Sequence, residues 1–372
     1  MYENEFPLDP QISYLNHAAV APWPRRTSDA VAQFANENTT LGATHYPRWM
    51  SKEFELRQQL KHLLNAPSTD DIAFQKNTSE GLSTIAYGLS WQPGDEIVIT
   101  NQEFPSNRIV WESLAKFGVK VIEADISGHL PEQSIMDAIS RKTRLLSVSS
   151  VQYGTGIRLN LHKLGEHCKK RQVLFCVDAI QSIGALETDV EAIQADFVVA
   201  DAHKWMLGPE GIAVMYVAEA AREKLELNEF GWHMVAKVGD YDAKSWEIAR
   251  SARRFECGSP NMVGIHALSA SLSLLLEVGI EIVETAILEN TRYLIELLER
   301  RKDIRVISPR NSSRRAGIVT FMVEGQKTED VFNSLKANHV ICANRGGGIR
   351  FSPHFYTPKS VLEKAVSLIP PG

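Results

Sequence analysis

Between Glu96 and Val217 the chain alternates short apolar runs with amphipathic stretches, and this alternation constrains its fold more than any other feature. The runs Glu96 to Thr100, Val119 to Glu123, Leu145 to Ser149, Val173 to Asp178, Phe197 to Asp201 and Ile212 to Val217 are apolar on both faces, as buried strands must be. Arg108 to Phe117, Pro131 to Ser140 and Leu161 to Arg171 carry apolar residues at three-to-four spacing and charges elsewhere, which predicts helices packed on a sheet. Strands joined through helices need crossover connections, so the expected class is α/β with a mostly parallel sheet.

Beyond Glu223 the pattern turns irregular as far as Pro260, with Gly231, Trp232, Gly239 and Gly258 interrupting it, and this stretch reads as a connection lining a site. A long helical pattern runs from Gly264 to about Lys302. Strand candidates at Ile304 to Ile307 and Gly317 to Val323, a helix from Glu329 to Asn338, and strand candidates near Val340 and Ile349 complete a smaller α+β unit. The expected division is a large domain over 16–250 and a small one formed by 1–15 with 251–372.

The 372 residues are 44% hydrophobic and 23% charged, ordinary values for a globular protein, and no repeat or low-complexity stretch interrupts them. A net charge of −5 without a basic run gives nucleic acid no footing. The acidic start lacks a signal-peptide pattern, and no apolar stretch reaches the roughly 18 residues of a membrane span. Cys168, Cys176, Cys257 and Cys342 form no Cys-x-x-Cys pair, so a reducing cytoplasm and a small-molecule partner are the expectations. His162 and His167 lie five apart and miss helical metal-ligand spacing, and no metal is expected.

Lys204 stands in the connection after Phe197 to Asp201, ahead of the turn signal Gly208-Pro209-Glu210-Gly211. Desolvation there favours a neutral amine able to form a Schiff base with an aldehyde; the plain alternative is a lysine snorkelling to water. Asp178 and Asp201 each end a strand, at the sheet edge where open α/β sheets bind ligands. A buried carboxylate calls for a cationic partner, such as a protonated ring nitrogen, although Asp178 equally suits a helix N-cap before Ala179. Asn77-Thr78-Ser79-Glu80-Gly81 opens a helix, and its N–H groups with the Thr78 and Ser79 hydroxyls form an anion site, or simply a cap made by Thr78.

Taken in order, Asn77-Thr-Ser-Glu-Gly81, Asp178-Ala-Ile-Gln181, His203-Lys204 with Gly208-Pro-x-Gly211, and Arg254-Phe-Glu-x-Gly-Ser-Pro260 resemble the class V aminotransferase family of fold-type I pyridoxal-phosphate enzymes. Cysteine desulfurases, kynureninases, isopenicillin N epimerases and aminotransferases belong to it. The resemblance runs from Tyr14-Leu-Asn-His-Ala-Ala19 to Arg350-Phe-Ser-Pro-His-Phe-Tyr356 and implies a seven-stranded large-domain sheet with a smaller C-terminal α+β domain. It implies that Lys204 carries pyridoxal 5'-phosphate and acts as base, that Asp178 pairs with the ring nitrogen, and that Gln181 bonds the ring hydroxyl. Phe104 would stack on the ring. Thr78, Ser79 and His203 would hold the phosphate, and Ser259 would reach the phosphate of a neighbouring subunit, which requires a homodimer with shared sites. Arg350 would clamp the substrate carboxylate, with Asn16 and His17 lining the substrate pocket. Arg345 is a second candidate for the clamp, or a solvated arginine at a Gly-rich turn.

Two departures narrow the choice. Cys342 lies in an apolar run, away from the loop where desulfurases place a nucleophilic cysteine, and Asp201 replaces a serine that many relatives use near the phosphate. The first expectation is therefore an aminotransferase acting on an amino acid and a 2-oxo acid. A desulfurase-like carbon–sulfur lyase is second and an epimerase third. A cofactor-binding scaffold without turnover is the reading from another class; a DNA-binding segment would have no room before Tyr14.

Overall fold

The computed structural model describes residues 2–372. At its centre lies a seven-stranded sheet in the order Ile72–Gln75, Ala213–Val217, Phe197–Asp201, Leu174–Asp178, Thr143–Ser149, Glu96–Thr100, Lys120–Ala124. Ala213–Val217 runs antiparallel to both neighbours, and the other pairings are parallel. The six predicted runs are all strands, two with the same ends and four with an end moved by one or two residues. Their apolar side chains feed two cores, one on each face: Val98, Leu146, Val177 and Val198 in the first, Ile97, Leu145, Cys176 and Val199 in the second. This two-sided burial explains why the strands read as continuous apolar runs.

A second sheet, antiparallel and four-stranded, orders Ala343–Arg345, Gly348–Phe351, Val319–Val323 and Ile304–Val306. Helices Thr328–Ala337 and Lys359–Ser367 help close its core through Val331, Leu335, Leu362 and Ala365. Lys359–Ser367, Arg25–Leu41 and Tyr46–Leu63 are helices beyond those expected from the sequence. The predicted helix from Gly264 to Lys302 is two helices, Met262–Val278 and Ile280–Glu299, which meet at 83° where Gly279 adopts φ 88°. Met262–Val278 packs on Arg25–Leu41 and Tyr46–Leu63, so it lies against the large unit although the sequence boundary at 250 assigns it to the small one. Neither helix alone is long and apolar enough to cross a membrane.

The irregular segment after Glu223 is irregular in the structure too, and its end is anchored by an ion network. Arg57 bonds Glu53 Oε1 and Glu256 Oε2, each at 2.7 Å, and also the Ile72 carbonyl; Glu256 Oε1 accepts the Phe74 N–H at 2.9 Å. His233 lies beside the same two carboxylates. Two residues of the Arg254-Phe-Glu motif are thereby structural: Glu256 ties the segment to the edge strand, and Arg254 bonds the Ala249 carbonyl.

The N-terminal segment is built into the small unit. Ser13 and Tyr14 pair with Val340 and Ile341, and Asn16 bridges Ser352. His17 is fully buried, and its Nδ1 lies 2.8 Å from the Ser352 carbonyl. A carbonyl only accepts, so Nδ1 carries the proton and Nε2 accepts the Tyr356 hydroxyl at 2.6 Å. Burial lowers the pKa of His17 to about 4, and that of the neighbouring His354 well below its ordinary value. In the unfolded chain both protonate near pH 6.5. Their neutral forms therefore contribute stability that is complete above pH 6.5 and declines as pH falls towards 4. For His17 alone the loss is about 3 kcal/mol. Urea midpoints between pH 7.5 and 4.5 should fall by more in the parent protein than in His17→Asn; parallel curves would mean that His17 does not titrate this way.

Candidate active site

The turn that presents Lys204 is tightly specified. After strand Phe197–Asp201, the Leu207 N–H returns to the Lys204 carbonyl at 3.1 Å and the Gly208 N–H to the Ala202 carbonyl at 2.9 Å. Leu207 holds φ 60°, which for a side chain of its size costs about 1 kcal/mol or more. Its carbonyl is secured by the Ser271 hydroxyl at 2.8 Å. Trp205 is fully buried behind the lysine, against Gly184, where a Cβ would fall 2.4 Å from the Trp205 carbonyl oxygen. Gly184 also holds φ 89°, so packing and backbone both require glycine there.

Lys204 is 8% exposed and faces a cavity of about 350 Å³ that opens at the carboxyl ends of the parallel strands. Burial lowers its pKa, Asp178 and Asp201 oppose that shift, and Arg350 and Arg345 reinforce it. The lysine does not snorkel into water. Its Nζ lies 5.7 Å from the centre of the Phe104 ring, which is half-buried on the cavity wall and edge-on to Tyr153. Phe104 is accordingly a wall residue of the cavity.

Asp178 is buried at the end of its strand and accepts the Ile180 N–H at 3.1 Å. A turn follows in place of a helix, so the N-cap reading is corrected to a turn cap. Burial raises the pKa of Asp178, and nearby Glu103 raises it further, against the opposing pull of Lys204. Gln181 is fixed from two sides, donating to the Ala18 carbonyl at 3.0 Å and accepting from Trp205 Nε1 at 2.8 Å; one amide N–H remains free.

Helix Thr78–Gly88 is capped by Asn77, whose Oδ1 accepts the Glu80 N–H at 2.8 Å, and not by Thr78. The Thr78 N–H goes to Asp201 Oδ2 at 3.1 Å, while the Asp201 N–H returns to Thr78 Oγ1 at 3.0 Å. Gly81 N–H bonds the Asn77 carbonyl. Of the four N–H groups expected to receive an anion, three are engaged, leaving that of Ser79 together with the Thr78 hydroxyl, while the Ser79 hydroxyl donates to Ser106 Oγ at 2.8 Å. Asp201 turns its carboxylate away from an incoming anion towards the Thr78 N–H and towards His203 Nδ1, 3.8 Å from its Oδ1. Both of those facing atoms are buried without a hydrogen bond.

Arg350 is 1% exposed and forms no ion pair with a carboxylate among the described residues. One nitrogen donates to the Tyr153 carbonyl at 2.6 Å, and Nε is buried without a partner. Burial and the charge of Arg345 lower its pKa to about 10. An unpaired guanidinium at such depth is costly unless an anion completes it, and a substrate carboxylate does so in bidentate geometry.

Thr78, Phe104, Asp178, Gln181, His203, Lys204 and Arg350 thus line one cavity, with Ser79 at its margin through a 2.8 Å bond to Ser106. Asn16 and His17 do not line it. The chain turns after them, presenting Ala18, Ala19 and Val20 instead, because the imidazole of His17 is committed to Ser352 and Tyr356. Ser259 lies in a separate depression with Lys76, Glu80 and Cys257. Arg345 reaches the cavity although its side chain is largely exposed.

Glu103 escaped sequence reasoning. Its buried carboxylate accepts from Thr100, Asn107, Ser149 and Gln152, a set that immobilises the segment bearing Phe104. As a donor set, the cavity suits a planar ring that bears an aldehyde for Lys204, a basic nitrogen for Asp178, and a phosphate for the Ser79 N–H and the Thr78 hydroxyl, with His203 on the same wall.

Comparison with known proteins agrees with this chemistry. The family described as "Aminotransferase class-V" matches residues 13–353. A probable cysteine desulfurase of Pyrococcus abyssi (strain GE5 / Orsay) is 28% identical, with 98% of this chain and 95% of the relative covered. The apo cysteine desulfurase of Thermococcus onnurineus NA1 superposes with a TM-score of 0.89 at 26% identity, covering 99% and 96% of the two chains. The cystine C-S lyase C-DES, solved with its product cysteine persulfide, gives 0.89 at 22% identity over 98% of each chain, a likeness of fold.

Proposed function

The chain belongs to the class-V aminotransferase family of pyridoxal-phosphate enzymes, and we propose that within it this enzyme is a carbon–sulfur lyase that cleaves the Cβ–S bond of a small sulfur-bearing amino acid. The observation that carries the proposal is similarity to cysteine desulfurases over nearly the whole chain, joined to a cavity that pairs a buried amine with an unpaired guanidinium. The aminotransferase expected first from the sequence gives way on that ground to the second expectation.

When bound, the cofactor supplies an electron sink that acidifies the substrate Cα–H. The chain's own residues do the rest. Arg350 fixes the carboxylate and so orients the Cα–H bond. Lys204, with its pKa depressed by burial, accepts the α-proton near neutral pH. Asp178 would supply negative charge to the cofactor's ring nitrogen, and Phe104 would cover the ring. Elimination and hydrolysis convert R–S–CH2–CH(NH3⁺)–COO⁻ and water into R–SH, pyruvate and ammonium.

Among the described residues no cysteine lines this cavity. Cys342 is buried, its thiol pushed up to about 12, and Cys257 lies with Ser259 in the other depression. Sulfur therefore leaves as a small thiol or persulfide rather than on a cysteine of this cavity. Incubating the holoenzyme with cystine and S-alkylcysteines should release pyruvate and thiol in equal amounts while the cofactor keeps its aldehyde absorbance. Accumulation of the pyridoxamine form with a 2-oxo acid would establish transamination instead, and inversion at Cα an epimerase.

The same reading includes a homodimer. Ser259, set in a depression apart from the cavity, would reach a partner's phosphate, and the loop that follows Glu223 exposes Phe230, Tyr241 and Trp246, rings suited to cover by a second copy. A sedimentation coefficient matching the monomer at micromolar concentration would exclude it.

A further inference from the structure

Arg345 is the charged side chain of the cavity wall that the lyase chemistry leaves unused. It makes no hydrogen bond or ion pair with any described residue, yet it lines the same cavity as Lys204 and Arg350. Its position is fixed by the backbone. Strands Ala343–Arg345 and Gly348–Phe351 form a hairpin in which Ala343 faces Arg350 and Arg345 faces Gly348. Residues two apart on a strand share a face, so Arg345, like Ala343, projects on the side of Arg350 as its diagonal neighbour, with Cβ atoms about 7–8 Å apart. The turn between the strands is Gly346-Gly347, with φ 68° and 80°, and a Cβ on Gly346 would fall 2.2 Å from the Gly154 carbonyl oxygen. This hairpin tip is seated on the large unit and holds the second guanidinium at the cavity mouth.

The charges of the wall are unequal. Lys204, Arg345 and Arg350 face Asp178 and Asp201, and Asp201 is already turned to the Thr78 N–H. With Arg350 taking the α-carboxylate, one cation is left at the diagonal spacing. We infer that Arg345 recognises a second carboxylate, carried on the β-substituent, and that the preferred substrates are dicarboxylic sulfur amino acids. This inference rests on the lyase reading for its reaction, but not for its binding.

The test compares S-carboxymethyl-L-cysteine with its uncharged isostere S-carbamoylmethyl-L-cysteine on the holoenzyme, and, separately, the affinities of L-glutamate and L-glutamine, which have no Cβ–S bond to break. The wild type should favour each acid over its amide by about 10- to 100-fold, in kcat/KM for the first pair and in Kd for the second. In Arg345→Gln both preferences should collapse to within about threefold, and Arg345→Lys should restore part of them. Equal treatment of acid and amide by the wild type, or a preference surviving in Arg345→Gln, would overturn the assignment. Failure of both cysteine derivatives to release thiol, with the glutamate preference present and dependent on Arg345, would refute the lyase and leave the anion site standing.

Discussion

Lys204→Ala should leave a folded protein that neither retains the cofactor after gel filtration nor turns over. In the proposed mechanism the loss compounds two roles, since one amine would anchor the aldehyde and accept the α-proton; general-base catalysis alone is worth roughly 10²- to 10⁴-fold. The turn around position 204 is held by main-chain bonds at Leu207 and Gly208 and by Trp205, none of which uses the lysine side chain, so circular dichroism should not change. Borohydride treatment of the wild type should label the peptide containing Lys204, and the variant should remain unlabelled. Turnover above about one hundredth of wild type would remove Lys204 from the chemistry.

Asp178→Asn should bind the cofactor and still lose about 10³-fold in kcat. Asparagine has the same shape, and its amide oxygen can go on accepting the Ile180 N–H, so the floor of the cavity persists. What disappears is the negative charge that, in the proposed mechanism, faces the ring nitrogen. At about 4 Å and an effective dielectric near 20 that attraction is about 4 kcal/mol, and each 1.36 kcal/mol is a factor of ten. The burial that raises the pKa of Asp178 in the empty cavity is offset once a cation faces it, so the carboxylate is the working form. Single-turnover rates within threefold of wild type would show that the ring needs no such partner.

Residues that were legible in the sequence share a physical signature. Lys204 and Asp178 are charged groups at the ends of runs so apolar that both sheet faces had to be buried, and their position at the strand ends followed from the alternation of strands and helices. Arg350 was visible only through its motif, because a single arginine in a short strand carries no periodic signal. Glu103 was invisible for a different reason: its partners Thr100, Asn107, Ser149 and Gln152 come from separate segments that meet only after folding. His17 misled because a histidine near a candidate pocket and a histidine bonded to a strand 335 residues away look identical in one dimension. Arg25–Leu41 has Thr27 as its buried residue, so no apolar stripe announced it, and Gly279 broke a helix whose pattern continues on both sides.

The cavity draws its walls from both extremities of the polypeptide: Ala18, Ala19 and Val20 on one side, Arg345 and Arg350 on another, with Asp178 and Lys204 between them in chain order. A nascent chain emerging from the ribosome therefore exposes its reactive amine well before the guanidinium wall exists to choose among amino acids. The cavity is complete only once the glycine hairpin docks beside Gly154.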